Sequence, residues 1–198
     1  MKLIVITGPD ASGKDTQIKN LRQQLTLRAY SVQTLSIWSA MEDFLKITDS
    51  TTLKKIVDGL LLQMKPIARS HFLISALKTA WDRRDEKNDF ILFNGYIYKY
   101  WATEAAYGVS DKVWIDETKD YFPEPDMVFS LQMNVDEGTL RRKIWSGYEL
   151  GDTLDFQDKV RKNLQRILVG VSNLTSVNAI GPMSEVTRGI FQYVENHP

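Results

Sequence analysis

The sequence predicts an α/β fold in which a five-stranded parallel sheet carries helices on both faces. Three observations predict it. First, short apolar runs recur along the chain: LIVIT (3–7), SVQTLSI (31–37), FILF (90–93), DMVFSLQM (126–133) and TSVNAI (175–180). Most are rich in Val, Ile, Leu or Phe on both alternating faces, the pattern of strands buried on two sides. Second, helical patterns lie between them, and strands alternating with helices close as right-handed crossovers into a parallel sheet. Third, Gly8, Gly13 and Lys14 are spaced between the first strand and the first helix in a way that suits a tight loop joining the two.

The elements follow in order. Residues 16–29 put Ile18, Leu21, Leu25 and Ala29 on one apolar stripe, a helix returning over the sheet. The gap from 38 to 89 reads as wholly helical. Pro66 opens one helix at its first turn, and DRRDEKND (82–89) closes it as a charged, solvated loop. YFPEPD (121–126) is a proline-stiffened lead into the fourth strand. Residues 156–171 form another stripe with Phe156, Val160, Leu164, Ile167 and Val171. With no repeat, low-complexity tract or linker, the 198 residues read as one domain.

Composition excludes several classes of function. Twenty-five basic residues balance 25 acidic ones, so no global field draws nucleic acid or an anionic membrane, and any recognition of phosphate is local. Cysteine is absent, which removes disulfides, zinc thiolates and thiol nucleophiles together and fits a reducing interior. His71 and His197 are too few for a histidine metal site and read as incidental polar residues. No signal-peptide pattern opens the chain, and no apolar run approaches the roughly 20 residues that span a bilayer. The expectation is a cytoplasmic protein with neither nucleic acid nor membrane as partner.

The loop carries the chemistry. Gly8, Gly13 and Lys14 satisfy G-x-x-x-x-G-K directly after a strand and before an amphipathic helix, which is the context that motif requires. The glycines let the backbone curl so that successive N–H groups face an anion. The helix N-terminus adds partial positive charge, and Lys14 reaches the outer phosphates. Gly8, Ala11, Ser12, Gly13, Lys14, Asp15 and Thr16 are therefore the expected nucleotide cradle.

The same loop holds Asp10 and continues into GKDTQ. Here the sequence resembles the thymidylate kinase family of P-loop nucleoside monophosphate kinases, whose loop reads roughly G-x-D-G-S-G-K-S/T-T-Q. PEPDMVFSLQMNVDEGTLRRK is similar to that family's fourth strand and the helix leading to its lid, with Arg141 on the lid arginine. VNAIGPMSEV is similar to its last strand and final helix. The resemblance covers almost the whole chain. It implies ATP- and Mg2+-dependent transfer of a phosphoryl group to a nucleoside monophosphate, by default dTMP. It also implies one P-loop kinase domain over 1–198 with a lid at about 141–155, and a possible homodimer. In the family the loop carboxylate, Asp10 here, contacts the 3′-hydroxyl of the acceptor sugar. Because Ala11 is not an arginine, Arg141, Arg142 and Lys143 are the implied suppliers of catalytic positive charge from the lid. The same basic run at a helix end also suits the helix dipole.

Departures from the family pattern gather at the acceptor side. After the third strand the family reads D-R-Y/H-x-x-S-x-x-A-Y-Q, whereas this chain reads NGYIYKYWATE (94–104). Tyr96 and Ala102 match, but Asn94 and Gly95 replace the Asp that organises magnesium's water shell and the Arg that grips the acceptor phosphate. Thr103 replaces the tyrosine that crowds the sugar 2′-position. SIWSAM (36–41) carries no arginine where the family has R-E-P-G. In ARSHFLISALK (68–78), Phe72 could stack on the base with Ala76 at the base-reading arginine position. A second register puts Arg69 and Leu73 there, and both stay open.

Three compensations are available. Lys99 stands one helical turn beyond Gly95 and could grip the acceptor phosphate as a point charge. Arg69 could enter from the facing helix. Asp15, with Asp10, could hold magnesium in place of a carboxylate at 94, although Asp15 also sets a negative charge beside the triphosphate. The aromatics Phe93, Tyr96, Tyr98, Tyr100, Trp101 and Tyr107 read as core, with a base-stacking wall as the alternative. Two further readings remain. One is a family scaffold with a lost or altered acceptor site, binding ATP as a regulatory module or phosphorylating another small acceptor. The other is a different P-loop activity, a plain ATPase or a nucleoside kinase, the latter disfavoured because Asn94 cannot serve as the base at the tip of strand three.

Overall fold

The computed structural model describes residues 1–133 and 154–197, the side chains of 111–113 excepted. Its strands are β1 (Lys2–Thr7), β2 (Val32–Leu35), β3 (Phe90–Asn94), β4 (Met127–Gln132) and β5 (Leu174–Asn178). They form one parallel sheet in the order β2-β3-β1-β4-β5. Period-2 alternation divides its side chains between two cores. Leu3, Val5, Ile91, Phe93 and Val128 point into one, while Ile4, Ile6, Phe90, Leu92, Phe129 and Leu131 point into the other.

The first core is covered by α2 (Ile37–Leu45), α3 (Ser50–Gln63), α4 (Pro66–Asp82), α5 (Tyr96–Ala106) and α7 (Leu154–Leu168), with α6 (Asp111–Thr118) packed on α5. The second is covered by α1 (Lys14–Leu27) and α8 (Met183–Asn196). Local chemistry sets the helix starts. Ser36 caps α2 through a reciprocal pair with Ser39, Asp49 accepts from the Thr52 N–H at the head of α3, and Pro66 takes the first turn of α4. Asp126 ties the lead into β4 to β1: its carboxylate accepts from Leu3 N at 2.7 Å and its own N–H donates to Leu3 O.

Several boundaries differ from the sequence reading. The second run ends as a strand at Leu35, because Ser36 caps a helix and Ile37 begins it. Ala29 lies beyond α1 at φ 64°, so the stripe stops at Leu25. Val171 lies beyond α7 but still packs on the core. The charged loop after α4 also reaches neighbours: Arg83 pairs with Asp43 at 2.9 Å, and Arg84 lies over the Trp81 ring.

Candidate active site

The pairing of β1 with β3 sets Ile6 opposite Asn94, and Gly95 N donates to Ile6 O at 2.8 Å. The loop after β1 and the segment after β3 therefore leave the sheet side by side. This is the carboxyl edge at which open α/β sheets bind ligands. No side chain caps α1; its N-cap is Gly13 at φ 93°. The first-turn N–H groups thus face out of the helix end as anion donors. A Cβ on Gly13 would meet Met183 Cε at 2.9 Å, and one on Gly8 would meet Leu131 O at 2.9 Å. Ala11 adopts φ 62°, a left-handed conformation that glycine takes more readily.

Side chains at this edge form two linked groups. Lys14 Nζ donates to Pro9 O at 2.8 Å and Gly8 O at 3.1 Å, and stands 3.7 Å from Asp10 Oδ1. Lys99, on the first turns of α5, brings its Nζ to 2.6 Å from the same oxygen. Asp10 thus joins two ammonium groups from different elements. In the second group Asn94 Nδ2 donates to Asp15 Oδ1, linking the tip of β3 to the first turn of α1. Beside this pair opens a cleft of ≈ 260 Å³, lined by Asp15, Lys19 and Arg22 of α1 and by Ser36, Ser39 and Asn94. Thr16 is exposed, whereas the Ser12 hydroxyl is buried with no hydrogen-bond partner among the described residues.

The donor chemistry suits a magnesium ion at one of the two predicted carboxylates. Asp15 offers hard oxygens next to the phosphate loop. Asp10 Oδ1 is in direct contact with the Lys99 ammonium at 2.6 Å and has Lys14 at 3.7 Å, which opposes a further positive ion on it. Lys19 and Arg22, by contrast, stand one and two turns from Asp15. Among the described residues no three His, Cys, Asp or Glu side chains gather into a metal cage.

Residues proposed for the acceptor divide sharply. Lys99 and Asp10 reach the loop, as above. Arg69 does not: it is 2% exposed, and its guanidinium forms a bidentate pair with Glu104 (2.9 and 3.0 Å) beneath the Tyr107 ring at 3.9 Å. Desolvation of Glu104 explains this placement, since a buried carboxylate needs a paired cation. Burial pushes the Glu104 carboxyl up, and Arg69 and Ser70 draw it back. Tyr96 is fully buried and donates to Pro123 O at 2.6 Å, so its ring belongs to the core and not to a ligand surface. Its φ of 51°, unusual for a bulky side chain, is held by that burial at the edge of the site. The Thr103 hydroxyl is turned back to Lys99 O at 3.0 Å. Phe72 is half-buried against the core. Phe93, Tyr98, Tyr100 and Trp101 are likewise core, and edge-on ring contacts run from Phe93 through Tyr96 and Tyr98 to Trp101. Arg141, Arg142 and Lys143 lie outside the described residues.

The sequence reading passed over Gln17 and Glu104, and it gave Asn94 and Tyr100 without their neighbours at the site. Asn94 is a partner of Asp15 and not merely a missing carboxylate. Gln17, 1% exposed, donates to Met183 O and accepts from the Thr187 hydroxyl at 2.7 Å, tying α1 to α8 behind the loop. Glu104 could have been found as the one carboxylate of an aromatic helix, a charge that needs a partner once buried. Burial raises the Tyr100 phenol to about 12; Lys99 opposes this, while Asp10 and Asp15 reinforce it.

A parallel sheet ordered β2-β3-β1-β4-β5, with a Gly8–Lys14 loop between β1 and α1, defines a P-loop protein of the nucleoside monophosphate kinase type. The chain is 27% identical over 205 residues to a probable thymidylate kinase of Pyrococcus abyssi, covering 98% of this chain and 95% of that one. It is 27% identical to a thymidylate kinase of Dictyostelium discoideum, covering 94% and 82%. It is 30% identical to a probable thymidylate kinase of Metallosphaera sedula, covering 84% and 76%. No family model matches the chain. The chain belongs to the thymidylate kinase family, as a divergent member. No helix among the described residues is long and apolar enough to cross a membrane.

Proposed function

We propose that the chain is an ATP- and magnesium-dependent kinase that transfers the γ-phosphoryl group to a nucleoside monophosphate, with dTMP the default acceptor. One observation carries the reading: Asp10 joins Lys14 and Lys99, placing a phosphate-loop lysine and a second ammonium either side of one carboxylate. Phosphoryl transfer spreads negative charge over oxygens, and cations set in place beforehand stabilise it. In this reading the first-turn amides of α1 and Lys14 hold the ATP phosphates. Lys99 holds the acceptor phosphate as a point charge, and Asp10 accepts from the acceptor's sugar hydroxyl. Asp15 would hold magnesium, and the ion would supply positive charge that neutralises the transferring group. Arg141, Arg142 and Lys143 supply further positive charge from a lid at about 141–155 of one P-loop domain. The similarity to proteins named thymidylate kinase supports dTMP as acceptor.

ADP release with ATP and magnesium against a panel of deoxy- and ribonucleoside monophosphates tests this, with Lys14→Ala as the blank. Turnover with dTMP is expected, and silence across the panel would sink the reading. A second reading is favoured by Arg69, whose guanidinium is engaged by Glu104, and by Gly95 in place of the phosphate-gripping arginine. It is a kinase of altered acceptor, or an ATP-binding module without one. ADP release with a monophosphate other than dTMP, or ATP binding without release, would select it.

A further inference from the structure

We propose that Asp15 and Asn94 are an interchangeable metal-site pair in which Asn94 is a positioning residue. It aims the Asp15 carboxylate, and the site needs one carboxylate across the two positions, not one at a fixed position. This rests on the kinase reading above and deepens it.

Asp15 is exposed on the first turn of α1, where an unsupported side chain would sample several rotamers. The amide of Asn94 fixes one of its oxygens. Asn94 is itself anchored, since it ends a strand paired with Ile6 of β1 and is followed by the Gly95 N–H bond to Ile6 O. The amide thus acts from a strand end paired in the sheet on an exposed side chain, as an outer-shell partner orients a metal ligand.

Charge explains why the partner is neutral. A carboxylate at each position would place two negative charges in hydrogen-bond contact, and each would disfavour ionisation of the other. Lys19 and Arg22 stand one and two turns further along α1 on the face that carries Asp15, and all three line the same cleft. These cations leave no net negative field in the cleft for a bare ion. One carboxylate, supplemented by triphosphate oxygens, is then the local requirement. Exchanging the two side chains moves that charge only by about the length of a hydrogen bond, roughly 3 Å.

The test is titration calorimetry of ATP without acceptor, with magnesium and with EDTA. It compares wild type, Asp15→Asn, Asn94→Ala, Asn94→Asp and the double variant D15N/N94D, each checked by thermal melting. Wild type should bind ATP more tightly with magnesium. Asp15→Asn and Asn94→Ala should each lose about 10-fold or more of that gain. The double variant should recover to within about threefold of wild type, a non-additivity expected only of groups that act together. Asn94→Asp should melt lower than wild type without magnesium and regain stability with magnesium and ATP. A double variant as weak as Asp15→Asn alone, or an Asn94→Ala variant with the full magnesium gain, would overturn the pairing while leaving the kinase reading intact. No ATP binding by wild type would overturn both.

Discussion

The Lys99 ammonium lies 2.6 Å from Asp10 Oδ1, so the helix after β3 touches the phosphate loop at the Asp10 carboxylate. Both side chains are mostly buried, which strengthens the contact relative to a surface pair. If Lys99 also meets the acceptor phosphate, Lys99→Ala should raise the acceptor KM by about 10- to 100-fold, the worth of one charged hydrogen bond. The KM for ATP should change far less. Lys99→Arg should restore part of the loss, since its fork can grip phosphate with two bonds. Steady-state kinetics with each substrate varied in turn checks this, and equal rises in both KM values would remove Lys99 from the acceptor site.

Lys14 donates to two carbonyls of its own loop and stands near Asp10, so its charge is already placed where phosphate oxygens would lie. Lys14→Ala should lower kcat by about 10²- to 10³-fold or more, as for other pre-placed transition-state donors. Its melting temperature should stay within a few degrees of wild type, because the fold rests on the two cores. Retained turnover would contradict the phosphate-loop assignment.

Strand positions and the loop were legible because they depend on local patterns: two-sided apolar runs, and glycines between a strand and a helix. Acceptor-side residues were less so, because their partners are distant in sequence. Arg69 reads as a spare cation until Glu104, 35 residues away, is seen to engage it. Asn94 reads as a lost carboxylate until Asp15, 79 residues away, is found against it. Lys99 was legible from the resemblance and helix geometry together, since it stands one turn beyond Gly95, the position of the family's phosphate-gripping arginine. Tyr96 matches the family motif and also reads as core, and motif position alone says nothing about which way a ring points. Its burial among Phe93, Tyr98 and Phe122 decides that.

Ala11 at φ 62° carries a Cβ in a region that costs L-residues about 1–2 kcal/mol. Ala11→Gly relieves that strain but gives the unfolded chain more freedom, worth about 0.4–1 kcal/mol in the other direction. The net expectation is a gain of roughly 0.5 kcal/mol. Urea unfolding with an unchanged m-value measures it. A clear loss of stability would mean that the Ala11 methyl makes contacts outweighing its backbone strain.

The Arg69–Glu104 pair gives the sharpest stability prediction, because both side chains are almost wholly buried between α4 and α5. Glu104→Gln leaves the guanidinium against a neutral amide and should cost about 3–5 kcal/mol, as should Arg69→Met, which strands the carboxylate. Replacing both, with R69M/E104L, should cost less than either single change, since desolvation of two charges is then avoided. Burial holds the Glu104 carboxyl above its ordinary value of 4.5 in the folded chain. A raised folded value means that its contribution to stability is complete below the unfolded value and is lost as pH rises through the folded one. Stability of wild type relative to Glu104→Gln should therefore fall as pH rises from 4 toward neutrality, measured by urea midpoints across that range. A difference that grows with pH would show that Arg69 outweighs burial at this carboxylate. If neither single change lowers the midpoint, the pair with Glu104 does not hold Arg69 away from the acceptor, and the reading with an altered acceptor site loses its main support.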